Sequence, residues 1–170
     1  MKIISFIGMP GSGKSEASKI ALKMNIPVIF MGNIIREETK KMNLDQKYCG
    51  KVADFIRKNY GKNEIAKRCI PYIKSEVIDK NKKIFIIDGI RTIEEVNYFE
   101  SILNNKIILI FIKSNIENRF NRILSRKRED DFLLRSDFKK RDYLELSWGI
   151  SNIIKKAHFV IENNTTLFNF

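Results

Sequence analysis

Gly8-Met9-Pro10-Gly11-Ser12-Gly13-Lys14-Ser15 is the stretch whose reading decides the fold. It matches the phosphate-binding pattern G-x-x-x-x-G-K-[ST] without a mismatch. An apolar run, Lys2 to Ile7, precedes it, and a segment of helical character, Ser15 to Met24, follows. That strand-loop-helix setting gives the pattern its meaning. Glycines allow the tight backbone that turns successive N–H groups onto phosphate oxygens, and the positive end of the next helix adds to the field. Pro10, Gly11, Ser12, Gly13, Lys14 and Ser15 are therefore the expected cradle for a nucleoside triphosphate. Lys14 is placed to reach the outer phosphates, and the Ser15 hydroxyl to take one position on Mg²⁺.

Outward from the loop, short apolar runs alternate with helical patterns. Ile26 to Phe30 reads as a second strand, and Met31-Gly32-Asn33 as the turn into a helix from about Ile34 to Met42. Asp45 to Asn59 is helical, with Val52, Phe55 and Ile56 at core spacing, and Tyr60 to Asn63 breaks it. The next helix, about Glu64 to Lys80, contains Pro71, which predicts a kink or break near Ile70. Ile84 to Ile87 has the continuous apolar character of a strand buried on both faces, and it ends in Asp88-Gly89. A helix over Ile93 to Leu103, opened by Thr92 or a neighbour, leads to a strand over Ile107 to Ile112 and a helix from Asn115 to about Arg126. Charged residues from Ser125 to Asp131 mark a loop or hinge. A long helical segment, about Leu134 to Lys156, leads to a fifth strand, His158 to Ile161, and Asn163 to Phe170 reads as a tail.

This alternation predicts an α/β fold, a five-stranded parallel sheet covered by helices on both faces. Ligands bind such sheets beyond the carboxyl ends of the strands. Gly8 to Ser15, Gly32 to Arg36, Asp88 to Arg91 and Lys113 onward all follow strand ends, so they are expected to share one cleft.

With 170 residues the chain has the usual length of one domain, and one domain is expected over 1–170. No apolar run approaches the roughly 20 residues of a membrane-spanning helix, and the N-terminus reads as a strand rather than a signal peptide. A soluble, cytoplasmic protein without a membrane partner is expected. Cys49 and Cys69 show no metal or redox spacing and read as reduced thiols. The net charge of +12 invites a nucleic-acid reading. The lysines are scattered through a chain rich in Ile, Asn and Lys, so that reading is not favoured. His158 and Trp148, the one histidine and the one tryptophan, read as structural.

At Met31-Gly32-Asn33-Ile34-Ile35-Arg36 and Asp88-Gly89-Ile90-Arg91-Thr92 the chain resembles the nucleoside monophosphate kinases, adenylate kinase in particular. It is still more similar to a group of small archaeal phosphate-loop proteins identified as adenylate-kinase-related nucleotide kinases. The resemblance adds Ala66 to Cys69, Arg126 to Asp131 and Arg141-Asp142, and so covers nearly the full length. It implies a three-layer αβα P-loop fold, with a helical insert for the acceptor over about 31–80 and a short lid over about 125–142. Asp88 then takes the place of the carboxylate that holds Mg²⁺, directly or through water. Gly32, Arg36, Arg68, Asp88, Gly89 and Arg91 are implied to bind the acceptor, and guanidinium forks suit its phosphate. Arg122 and Arg126 resemble the arginines over the donor's adenine and phosphates. Lys14, Arg126, Arg128 and Arg141 are implied to act on the transferring group. Asp130 and Asp131 would position the lid.

One residue departs from the pattern: Asn33 stands where the family has Asp. Dephospho-coenzyme A kinases, which the chain also resembles in its phosphate loop and over Lys156 to Asn163, need an acidic residue soon after the second strand to activate a sugar hydroxyl. Asn33 cannot accept that proton, whereas a nucleotide's phosphate is already ionised. The expectation is a Mg²⁺- and ATP-dependent kinase with a nucleoside monophosphate as acceptor, AMP first. Dephospho-coenzyme A kinase, and a regulator or slow ATPase working with a protein or RNA partner, are the alternatives. The acceptor base and the oligomeric state are left open.

Overall fold

β1 (Lys2–Ile7) is apolar on both sides, and it takes the centre of the sheet. The computed structural model describes residues 1–78, 80–126, 128–131 and 134–165. Ile3 and Ile7 join one core, Phe6 joins the other, and the buried Ser5 hydroxyl is satisfied by the Ile87 carbonyl at 2.8 Å. The remaining strands are β2 (Val28–Phe30), β3 (Ile84–Asp88), β4 (Ile107–Lys113) and β5 (Phe159–Glu162). All pair in parallel, in the order β2-β3-β1-β4-β5.

Helices cover both faces, giving the expected three layers. The smaller core lies under α1 (Lys14–Lys23), where Ala21 meets Phe6, Ile86 and Ile112. The larger core packs the other face against α2 (Met31–Lys41), α3 (Cys49–Tyr60), α4 (Glu64–Ile73) and α5 (Ile93–Leu103). α6 (Ile116–Arg126), α7 (Arg135–Ser147) and α8 (Ile150–Ile154) complete the described helices, with Ile153 of α8 in that larger core. α5 begins on a capping box: the Thr92 hydroxyl accepts from the Glu95 N–H at 3.1 Å, and Glu95 Oε2 accepts from the Thr92 N–H at 3.2 Å.

Several elements differ from expectation. Met31, Gly32 and Asn33 form the first turn of α2 instead of a turn before it, because the helix starts directly on the last residue of β2. β2 is shortened at its start, where Pro27 lacks the N–H that pairing needs. Phe55 is 46% exposed while Val52 and Ile56 are buried, since the helical repeat carries Phe55 off the core face. Pro71 lies inside α4, which runs on to Ile73 and then widens into a π-helical turn over Lys74–Ile78. The long C-terminal helix is two helices, because Gly149 adopts φ +95° between α7 and α8. Thr166 to Phe170 of the expected tail, and Lys127, Phe132 and Leu133 of the expected lid, lie outside the described residues.

The chain leaves β1 for β2, two places to one side, and leaves β4 for β5 on the other side. The connections leaving β1 and β4 therefore run to opposite sides of the sheet, the topology in which ligands bind beyond the carboxyl ends of the strands.

Candidate functional site

Gly11 and Gly13 both take positive φ, +76° and +110°, and these bends let the loop wrap without side chains in the way. A Cβ on Gly11 would also run into the carbonyl oxygen of Arg119, so α6 lies directly against the loop. Lys14 is buried, and its ammonium donates to the carbonyls of Gly8 at 2.8 Å and Met9 at 3.0 Å. Burial, followed by the charge of Arg91, lowers its pKa to about 7, against the pull of Asp88 and Glu145. Ser12 Oγ is buried without a hydrogen-bond partner among the described residues, an uncommon condition for a hydroxyl.

The loop forms one wall of a cleft of about 930 Å³, which also takes in the start of α2, the end of β3, part of α3 and the inner side of α7. Pro10, Gly11, Lys14 and Ser15 line it, together with Gly32, Arg36, Asp88, Gly89, Arg91, Arg126, Arg128 and Arg141. The structure thus brings together all but four of the residues singled out in the sequence. Ser12 is buried behind the loop, and Gly13 turns the backbone into α1. Arg68 does not line the cleft. It pairs with Glu38 across α2 and α4, and with Glu64 one turn before it, since these carboxylates are the nearer partners. Arg122 is absent from the lining too. Its guanidinium donates to Ser114 Oγ at 3.0 Å and to Asn163 Oδ1 at 2.9 Å, so it faces the loop after β5.

Within the cleft Arg36, Arg91, Arg126 and Arg141 each meet a carboxylate. Arg36 reaches Asp130 at 3.1 Å, and Arg126 grips Asp131, with Nε 2.8 and 2.9 Å from its two oxygens. Arg91 Nε stands 2.6 Å from Glu145 Oε2, and Arg141 Nη2 donates to Glu145 Oε1 at 2.8 Å. Asn33 finds a part its sequence did not suggest: its Oδ1 accepts from Arg36 Nη2 at 2.5 Å. The Asp88 carboxylate, buried at the end of β3, accepts from Ser18 Oγ at 3.0 Å. Ser15 and Asp88 offer hard oxygen donors of the kind Mg²⁺ takes alongside phosphate oxygens and water. The glycine bends and this donor pair fit a Mg²⁺-bound polyphosphate.

Sequence reasoning missed four contributors. Glu145 is wholly buried, one turn after Arg141, and the sign of it was a lone acid in the apolar stretch Tyr143 to Trp148. Glu95 ties two arginines, accepting from the Arg91 N–H at 2.7 Å and from Arg57 Nη2 at 2.8 Å. Arg119 fastens the loop, donating to the Pro10 carbonyl at 3.1 Å while forking onto Asp142. Asn163 donates to the Ser12 carbonyl at 2.9 Å from the far end of the chain. Trp148 is structural but also lines the cleft, with the guanidinium carbons of Arg57 and Arg141 at 4.3 and 5.2 Å from its ring centre. His158 remains a sheet residue, its Nδ1 accepting from the Leu109 N–H at 3.1 Å.

Comparison with known proteins agrees with this architecture. The AAA domain family matches residues 7–133. A UPF0200 protein of Methanosarcina mazei is 44% identical over 172 residues, covering 100% of this chain and 90% of that protein. Among solved structures, TT1252 from Thermus thermophilus superposes with a TM-score of 0.66 at 17% identity, over 98% of this chain and 90% of its own. Shikimate kinase from Acinetobacter baumannii, in complex with shikimate, does so with 0.58 at 15% identity, over 98% and 86%. At such identities the likeness to these two is one of fold. By its match over most of its length and by its relatives, the chain belongs to the AAA domain family of P-loop proteins and to its UPF0200 members.

Proposed function

We propose that this chain is an ATP-dependent nucleotide kinase of the cytoplasm, which transfers the γ-phosphoryl group to a nucleoside monophosphate, AMP first. The observation that carries the reading is the single cleft in which Lys14 and the phosphate loop face Arg36, Arg91, Arg128 and Arg141. One triphosphate does not need four guanidiniums opposite its own cradle, whereas a second phosphate-bearing substrate does.

In this reading the loop amides and Lys14 hold the donor, and Ser15 and Asp88 would hold Mg²⁺, which would supply charge neutralisation at the outer phosphates. Arg36 and Arg91 hold the acceptor phosphate, with Asn33 orienting Arg36. Arg126, Arg128 and Arg141 face the oxygens on which charge spreads as the terminal phosphorus–oxygen bond of ATP breaks and the bond to the acceptor oxygen forms. The acceptor is already ionised, so no base is required, which suits an amide at position 33. Closure of the 128–131 turn and α7 over the cleft would exclude water.

The test is acceptor-dependent ADP release from ATP and Mg²⁺, with each nucleoside monophosphate, dephospho-coenzyme A and shikimate offered in turn. Turnover with a monophosphate is the expected result. Turnover only with a hydroxyl acceptor, or with none, overturns the reading. Arg91→Ala should raise the acceptor KM about 10- to 100-fold, the cost of hydrogen bonds to a charged group, and leave ATP binding within about 3-fold. An equal loss of both would remove Arg91 from the acceptor side.

A further inference from the structure

Glu145 is a buried carboxylate at the meeting point of three cations. It is 0% exposed, on the inner side of α7, and it lines the cleft. Its Oε1 accepts from Arg141 Nε at 3.1 Å and Nη2 at 2.8 Å. Its Oε2 lies 2.6 Å from Arg91 Nε but outside hydrogen-bonding alignment, and has no other partner among the described residues. Burial alone would push this carboxyl up, yet Arg91, Arg141 and Lys14 together hold it down at about 2. It therefore stays ionised throughout the physiological range.

The two arginines come from separate places. Arg91 follows β3, with its backbone fixed by Glu95, while Arg141 sits on α7 against Gly50, where a Cβ would collide with its Nη1. Glu145 is the group that touches both. A carboxylate in this position does two opposed things. It holds two guanidiniums in a fixed relative orientation, and it occupies donors and positive charge that an incoming phosphate also needs.

We propose that Glu145 is a positioning residue of the cleft, a built-in counter-ion that aligns Arg91 with Arg141 for transfer and in doing so weakens the cleft's hold on anions. The part about transfer rests on the kinase reading above; the part about anions does not.

Two measurements separate these. The first follows the fluorescence of Trp148, the one tryptophan, during titration with inorganic tripolyphosphate, with no acceptor and no turnover. Its ring lies 5.2 Å from the Arg141 guanidinium carbon, so it reports on that group. Glu145→Gln should bind tripolyphosphate about 10-fold more tightly than the native chain, and Glu145→Asp, which restores the charge on a shorter stem, within about 3-fold of native. A residue that merely supported the fold would weaken binding together with thermal stability. Unchanged or weaker binding in Glu145→Gln overturns the proposal, and if that variant does not fold, Glu145→Asp binding 10-fold tighter than native does the same.

The second is kcat on the acceptor used by the native chain. Glu145→Gln should lower kcat about 30-fold while the KM for ATP falls up to about 10-fold with the tighter polyphosphate binding, and Glu145→Asp should recover most of the loss in kcat. A kcat equal to native, or a loss not recovered by Asp, overturns the alignment role. Absence of turnover in the native chain would overturn the kinase reading, while the tripolyphosphate titration would still decide the counter-ion role.

Discussion

The phosphate loop and the arginine cleft face each other across one space, yet they are built in opposite ways. The loop is eight consecutive residues held by backbone: glycines at φ +76° and +110°, a lysine turned onto carbonyls, and Arg119 and Asn163 bracing the carbonyls of Pro10 and Ser12. The cleft is assembled from side chains of α2, the β3–α5 turn, the end of α6, the 128–131 turn and α7, with Arg36, Arg91, Arg126 and Arg141 each set by a carboxylate. A local motif can thus be read from contiguous residues and broken by one of them. A distributed one depends on pairs far apart in the chain, and it responds to charge.

The largest effect expected from that contrast lies in the loop. Lys14→Ala should reduce turnover about 10²- to 10³-fold, the usual cost of removing one preorganised donor to developing charge. Acceptor-dependent ADP release measures this, and a loss below 10-fold would show that the loop amides suffice.

Next comes acid, which should strike the cleft and spare the loop. The Glu145 carboxyl is held at about 2 against an ordinary 4.5. A carboxyl depressed by folding stabilises the fold above its unfolded pKa, and that contribution disappears as pH falls through the folded one. The window is therefore about pH 4.5 down to about 2, and the full difference is of the order of 3 kcal/mol. Urea unfolding at pH 6 and pH 3 should show the native chain losing more stability than Glu145→Gln. Equal losses would mean that the charge does not hold α7 to the β3–α5 turn.

The smallest effect on stability is expected at Gly50, and it sharpens the comparison. At Gly11 the obstacle to a side chain is the backbone of Arg119, whereas at Gly50 it is the movable end of Arg141. Alanine at position 50 gains helix propensity, about 0.5 to 1 kcal/mol, so Gly50→Ala should unfold no earlier than the native chain. It should still lower kcat roughly 10-fold by displacing Arg141, since misplacement of about 1 Å can cost up to about 10²-fold. A variant both stable and fully active would remove Arg141 from the reaction.

Legibility followed the same division. Gly8 to Ser15, the Asp88-Gly89 strand end, the Thr92 cap and the apolar strands could be read because the information is local: a spacing, a period, a turn residue. The arginines of the cleft were legible as residues, through likeness to a motif at strand ends, but their partners were not. Glu145, Glu95 and Asp142 look like ordinary helix-surface acids until the helices carrying them are packed. Arg68 and Arg122 show the converse. Each sits at a suggestive position, yet a nearer carboxylate or carbonyl on a packed neighbour takes up its guanidinium. Gly149 lies inside the segment read as one long helix, and its positive φ separates α7 from α8.

By itself the sequence determined the strand-loop-helix unit at the N-terminus, the alternation that makes a parallel sheet, and the identity of the cations after the strand ends, because each depends on residues near one another in the chain. Tertiary structure alone decided the order β2-β3-β1-β4-β5, the cleft beyond the ends of β1, β2 and β3, and which carboxylate faces which arginine. The physical reason is that a buried ion pair needs both partners removed from water at the same point, and only packing puts residues 91 and 145 there.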